Sequence, residues 1–235
     1  MASIIDSFKE VASDKLSAVK LLIFALPIYY CYTVYIDPKT SAFDFYCVAL
    51  TILFFLLGFL VKITNNVINE RNELLPSLNP LKLAFSSIKC LLATIIPVLI
   101  SCSLANYISS FIVILPWVDI VLKTIIWLVV AAIVTSSFLM FSQRENILDA
   151  FKVKFLFEKA GDLIFIILFL VIKILLINAL TLGFLGYAIY FLFGVCPPYV
   201  LYIAYTVVFN VAVIGHYMAQ VNYESAAFGS RKNSN

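Results

Sequence analysis

The sequence predicts an all-α integral membrane bundle of about six transmembrane helices, N-in and C-in, with amphipathic helices on the cytoplasmic side. Three observations predict it. The 235-residue chain contains six apolar runs, each long enough to cross a hydrocarbon core of about 30 Å. Its Lys and Arg residues gather on alternate sides of those runs. Hydrophobic residues make up 63% of the chain and charged ones 12%, whereas soluble domains carry about 45–50% and about 25%. A water-soluble fold of this composition has too few polar groups to cover its surface.

The elements follow in order. Residues 1–17 form an amphipathic segment: Ile4, Phe8, Val11 and Val19 recur at near-helical spacing, with Asp6, Lys9 and Asp14 between them. Such a helix either lies in the headgroup plane or packs beneath its own bundle, and the pattern leaves both open. It lacks the short apolar core and small-residue cleavage site of a removable signal peptide, so the first span is expected to be retained. The six-span domain covers 18–223, with spans at about 18–36, 44–61, 84–106, 117–141, 162–183 and 198–221. Residues 107–116 and 184–197 are apolar but too short to cross, and read as interfacial or re-entrant caps. Pro27 and Pro97 lie inside spans, where kinks are expected. A second amphipathic stretch, Ile147, Leu148, Phe151 and Phe155 opposed by Asp149, Lys152 and Lys159, precedes the fifth span. Residues 224–235 read as a flexible cytoplasmic tail.

Orientation follows from the basic residues of the short loops. The N-terminal segment, the 62–83 loop, the 142–161 loop and the C-terminus are rich in Lys and Arg, while the opposite loops carry only Lys39 and Lys123. The basic side is the cytoplasmic one. A seventh or eighth crossing would spoil the alternation.

Composition also narrows function. The net charge of +3 is small, and no basic stretch is interleaved with aromatics, so nucleic acid is not an expected partner. The expected partners are the lipid bilayer and another membrane protein or a second copy of the chain. Cys31, Cys47, Cys90, Cys102 and Cys196 form no C-x-x-C pair, which disfavours a zinc or redox site. Cys47 and Cys196 both fall near the outer face, leaving a disulfide between them open. With seven glycines and no G-x-x-x-G seam, packing is expected to rest on Phe, Leu, Ile and Tyr.

Few residues carry chemistry. Lys173 is the sharpest. It lies about eleven residues into the fifth span as bounded here, about 16 Å deep, near the midplane, where charge is costly and often functional. No carboxylate shares that depth, so its partners must be neutral: Asn178, Asn210 or the tyrosines at 29 and 30. His216, the single histidine, sits towards the cytoplasmic end of the last span and has no acid near it in sequence. It reads as a buried, hydrogen-bonded side chain. Lys173, Asn178, Asn210 and His216 together are the candidate intramembrane polar site. Ser101, Ser103, Thr135, Ser136 and Ser137 are expected to bond their own helix backbone, and Asp119 to meet water at the outer interface. No Ser/His/Asp arrangement, Gly-rich phosphate loop or paired carboxylate is visible, so neither an enzyme nor a cofactor is expected.

Three short stretches carry a family resemblance: Asn69-Glu-Arg-Asn-Glu-Leu-Leu-Pro76, Glu145-Asn-Ile-Leu-Asp-Ala-Phe-Lys152 and Gly215-His-Tyr-Met-Ala-Gln220. Over roughly residues 20–223 the chain resembles prokaryotic polytopic membrane proteins of the domain of unknown function 4013 family. The resemblance implies a multi-span bundle and no assigned activity. Two functions are therefore expected: a non-enzymatic interaction or membrane-organising module, or a small-solute transporter using the polar site around Lys173. The Lys-, Ile-, Asn- and Phe-rich usage points to a prokaryotic cytoplasmic membrane.

Overall fold

A computed structural model describes residues 3–14, 16–71, 73–111 and 116–232. Among them every regular element is a helix: α1 (Ile4–Ser13), α2 (Ser17–Ile36), α3 (Ala42–Ile68), α4 (Pro80–Phe111), α5 (Pro116–Arg144), a 3-10 turn (Ile147–Phe151), α6 (Val153–Asn178), a π-helical segment (Ala179–Leu185), α7 (Gly186–Phe193) and α8 (Pro197–Lys232). Six stretches are long and apolar enough to cross a membrane: Ser17–Ile36, Ala42–Ile68, Pro80–Ser110, Val118–Arg144, Leu156–Phe193 and Pro197–Asn222. The protein is an all-α helical membrane bundle with the expected number of spans.

Several boundaries differ from expectation. Residues 107–111 continue α4, and 184–193 continue the fifth span through the π segment into α7, so neither stretch is a separate cap; residues 112–115 lie outside the described set. Helical continuation satisfies the backbone internally, which a re-entrant loop in lipid cannot do. The segment 147–151 is one 3-10 turn with Leu148 outward, not an amphipathic α-helix. Helix α8 carries residues 224–232 as helix rather than as a flexible tail, since no Pro interrupts that stretch. Cys47 and Cys196 are free thiols, as are the other three cysteines.

The chain divides into two compact units, residues 1–87 with 173–220, and 88–172 with 221–235. The first has a core of Val11, Leu21, Ala25, Phe59, Ile63 and Leu75 against Ala204, Val208, Ala212 and Val213. Small residues seat its helices, contrary to the expectation of large side chains alone. A Cβ on Gly58 would meet the Leu83 carbonyl oxygen at 2.3 Å and Ser87 Oγ at 2.5 Å. Ser87 donates to the Phe54 carbonyl at 2.6 Å, tying α4 to α3 at this crossing. Single glycines placed at a crossing need no repeat, which is why a search for G-x-x-x-G misses them.

In the second unit, Pro97 removes the N–H that would bond the Ala93 carbonyl one turn earlier. Ser137 of α5, fully buried, donates to that carbonyl at 3.4 Å. Ser136 donates to the Leu156 carbonyl of α6 at 3.1 Å. Both serines thus bond neighbouring helices rather than their own, whereas Ser101 does bond its own helix, at the Pro97 carbonyl. Asp119 pairs with Lys123 at 2.7 Å, one helical turn on, instead of relying on water alone.

Gly58→Ala should lower the melting temperature of the detergent-solubilised protein, with a loss of about 1–3 kcal/mol, because backbone on α4 must move to admit the methyl group. Gly161→Ala, where nothing lies within 4 Å of the added carbon, should leave it unchanged or slightly raised. Equal melting temperatures for the two variants would contradict the close approach at Gly58.

Candidate functional site

The four candidate residues do not form one site. They resolve into three separate arrangements, all within the first unit. Asn210 Nδ2 donates to Asn178 Oδ1 at 2.8 Å, and Asn178 Nδ2 donates to the Ile174 carbonyl at 2.8 Å. Asn210 is buried, and its Oδ1 has no partner among the described residues. The π segment starts immediately after Asn178. Within it the Thr181 carbonyl accepts from the Gly186 N–H five residues on and also from Tyr202 Oη at 2.7 Å. The pair therefore sits where the backbone of the fifth span departs from α geometry.

Lys173 is elsewhere. Its Nζ donates to Tyr217 Oη at 3.3 Å and lies 5.1 Å from the centre of the Tyr217 ring. Neither asparagine nor Tyr29 or Tyr30 is its partner. Depth explains the difference. The last two spans meet at the turn between Phe193 and Pro197. Counting back from Phe193, Lys173 is twenty residues away, about 30 Å. Counting forward from Pro197, Tyr217 is also twenty residues away, again about 30 Å. Both lie the same distance along their helices from that turn, which is why they meet. The expectation placed the end of the fifth span near 183; the helix continues ten residues further, so Lys173 stands level with Tyr217 on the last span rather than with Asn210.

His216 is 2% exposed and is held by α1. Its Nε2 lies 2.7 Å from Glu10 Oε2, and because a carboxylate accepts, Nε2–H is the donor. Its Nδ1 lies 3.0 Å from Ser7 Oγ, which itself donates to the Ser3 carbonyl at 3.1 Å. One turn on, the Ser3 N–H donates to Gln220 Oε1 at 3.0 Å, and Phe8 meets Phe209 edge-on at 4.7 Å. Helix α1 is thus docked along the inner half of α8. Of the two placements the sequence left open for this helix, the structure takes the packed one.

Sequence reasoning saw no acid near His216; the acid comes from 206 residues away. The resulting Ser7–His216–Glu10 constellation has the residue types of a hydrolytic triad. Its Ser7 is fully buried, packed between α1 and the last span. A nucleophile needs an open approach for its substrate. The geometry here acts as a clamp.

The same end of the unit holds a second constructed feature that the sequence hid. Asp14 accepts from the N–H groups of Leu74 and Leu75 at 3.2 and 3.1 Å. Lys20, buried within the first turn of α2, pairs with Glu73 at 2.9 Å and donates to the Leu75 carbonyl at 3.4 Å. Asn66 Nδ2 donates to the Leu74 carbonyl at 3.2 Å. The loop after α3 is pinned from three helices, and Leu75 is driven into the core. The signal available in sequence was only the Leu-Leu-Pro at 74–76.

In the second unit Asn222 Oδ1 accepts from Gln143 Nε2 at 3.0 Å and from Lys159 Nζ. Among the described residues no group of three or more His, Cys, Asp or Glu could hold a metal ion. No protein family, curated protein or solved structure was found to match the chain.

Two outcomes test these assignments. In a double-mutant cycle, Lys173→Met and Tyr217→Phe should each lower the melting temperature, with a coupling of about 1 kcal/mol; strictly additive losses would contradict the contact. His216→Ala should remove the clamp at a cost of about 1–3 kcal/mol. Hydrogen exchange should then rise in the α1 amides and not in those of α5. Unchanged protection of α1 would show that apolar packing alone holds it.

Proposed function

We propose that the chain is a non-enzymatic, multi-pass protein of a prokaryotic cytoplasmic membrane, acting as an interaction or membrane-organising module through its basic, cytoplasmic face. The observation that carries this reading is where the polar interactions are spent. The contacts joining distant parts of the first unit, Glu10–His216, Asp14 to the 74–75 amides, Lys20–Glu73 and Lys173–Tyr217, gather at one end of the bundle. They build a firm platform on which α1 presents Ile5, Asp6 and Lys9 outward. A platform of this kind suits a partner in or on the membrane: lipid, another membrane protein or a second copy of the chain. The resemblance to the domain of unknown function 4013 family agrees with this reading in implying a bundle without assigned chemistry.

One observation favours transport as a second reading. The Asn178–Asn210 pair, with an unpaired buried amide oxygen beside a seven-residue π segment, has the features of a polar site at a broken helix.

Site-specific photo-crosslinking in native membranes separates the two. A photoreactive residue at Ile5 or Lys9 should give discrete protein adducts, while one at the exposed apolar position Phe184 of the fifth span should give lipid adducts only. Absence of adducts from α1, together with solute flux in proteoliposomes that Asn210→Leu abolishes, would replace the module with the transporter.

A further inference from the structure

At the basic end of the first unit, the pinned 73–77 loop and the facing ends of α3 and α4 frame an open cavity of about 400 Å³. That volume is within the range of small-molecule sites, about 300–1,000 Å³. Lys62, Arg71 and Lys82 line it, with Glu73 as the one acidic group of the wall. Glu73 also pairs with Lys20 at 2.9 Å, and three basic side chains against one acidic one give the lining a net positive charge. Its shape does not depend on mobile side chains alone. Asp14 and Asn66 fix the loop backbone through the hydrogen bonds described above.

A second cavity, of about 290 Å³, adjoins the first and shares Leu83 as a wall. Its lining is apolar: Phe24 and Pro27 of α2, Ile52 and Phe55 of α3, with Leu78 and Leu83 closing it. Phe24 and Pro27 lie seven and ten residues into α2, about 10–15 Å past its start, which is acyl-chain depth. A cationic chamber beside an apolar groove, the two sharing Leu83, matches one class of ligand in both halves. A free phosphate would use only the first half.

We propose that the paired cavities bind a single anionic phospholipid, its phosphate held by Lys62, Arg71 and Lys82 and one acyl chain laid along Phe24, Pro27, Ile52 and Phe55. Arg71 supplies the planar fork that suits two phosphate oxygens, and the two lysines supply point charges. The site is independent of whether the bundle organises the membrane or moves a solute.

The full-length protein in neutral detergent, titrated by native mass spectrometry, tests this. The probes are dioleoyl phosphatidic acid, dioleoyl phosphatidylcholine and inorganic phosphate. Phosphatidic acid should bind at least about tenfold more tightly than phosphatidylcholine. Arg71→Gln and Lys82→Gln, both at exposed positions, should each weaken it about tenfold, the loss of one charge-assisted contact. Leu78→Trp, which fills the groove and spares the cations, should weaken phosphatidic acid as well. The control Lys89→Gln, at an exposed position lining neither cavity, should change nothing. Equal binding of the two lipids would overturn the site, as would an equal effect of Lys89→Gln, which would mean general surface charge. Competition by inorganic phosphate at full strength, with Leu78→Trp silent, would reassign the chamber to a soluble phosphate and overturn the lipid.

Discussion

Inside hydrocarbon there is no water to satisfy a backbone or side-chain polar group, and each unsatisfied one costs several kcal/mol. The rest of the structure depends on that constraint. It makes every span a helix, and it decides what happens wherever a helix is imperfect. Pro97 frees the Ala93 carbonyl, and Ser137 takes it up. In the π segment the Thr181 carbonyl accepts from the Gly186 N–H, and Tyr202 of the last span adds a second bond to it. Polar side chains in the spans are therefore not decoration on an apolar bundle. Each of these bonds ties two helices together.

The same constraint sorts the charged groups. The sequence offers Lys173 no counter-charge, and the fold gives it an aromatic hydroxyl and ring at the end of the first unit where α1 docks. Glu10, His216, Asp14, Lys20 and Glu73 cluster at that same end, where partial hydration lowers the cost of charge. What remains deeper is neutral: two asparagines bonded to each other, one with an oxygen still unpaired. This division separates a polar end of the first unit from its apolar remainder.

Much of this was legible in the residues. Six apolar runs and the alternation of Lys and Arg fix the number of spans, because period and length are local properties of the chain. The amphipathic spacing of Ile4, Phe8 and Val11 likewise yields α1. The polar site was less legible. Lys173, Asn178, Asn210 and His216 were each identifiable as unusual, yet grouping them required a depth scale. The end of the fifth span was set too early, since Phe184 to Phe193 read as a cap, and that boundary set Lys173 against the wrong level of the last span. The partners of Ser136 and Ser137 were misread for a related reason: bonding within a helix is the local default, and a neighbouring carbonyl is invisible in sequence.

By itself, then, the sequence determined the class of solvent, the number of crossings and which segments are amphipathic. These follow from hydrophobicity and periodicity, which act over a few residues at a time. Tertiary structure alone decided that α1 docks on α8, that Glu10 meets His216, that Asp14 and Lys20 pin the loop at 73–75, and that three cations face one chamber beside an apolar groove. Those contacts join residues from about 50 to more than 200 positions apart. Their energy depends on distance and burial in space, and neither quantity is written in the local pattern of the chain.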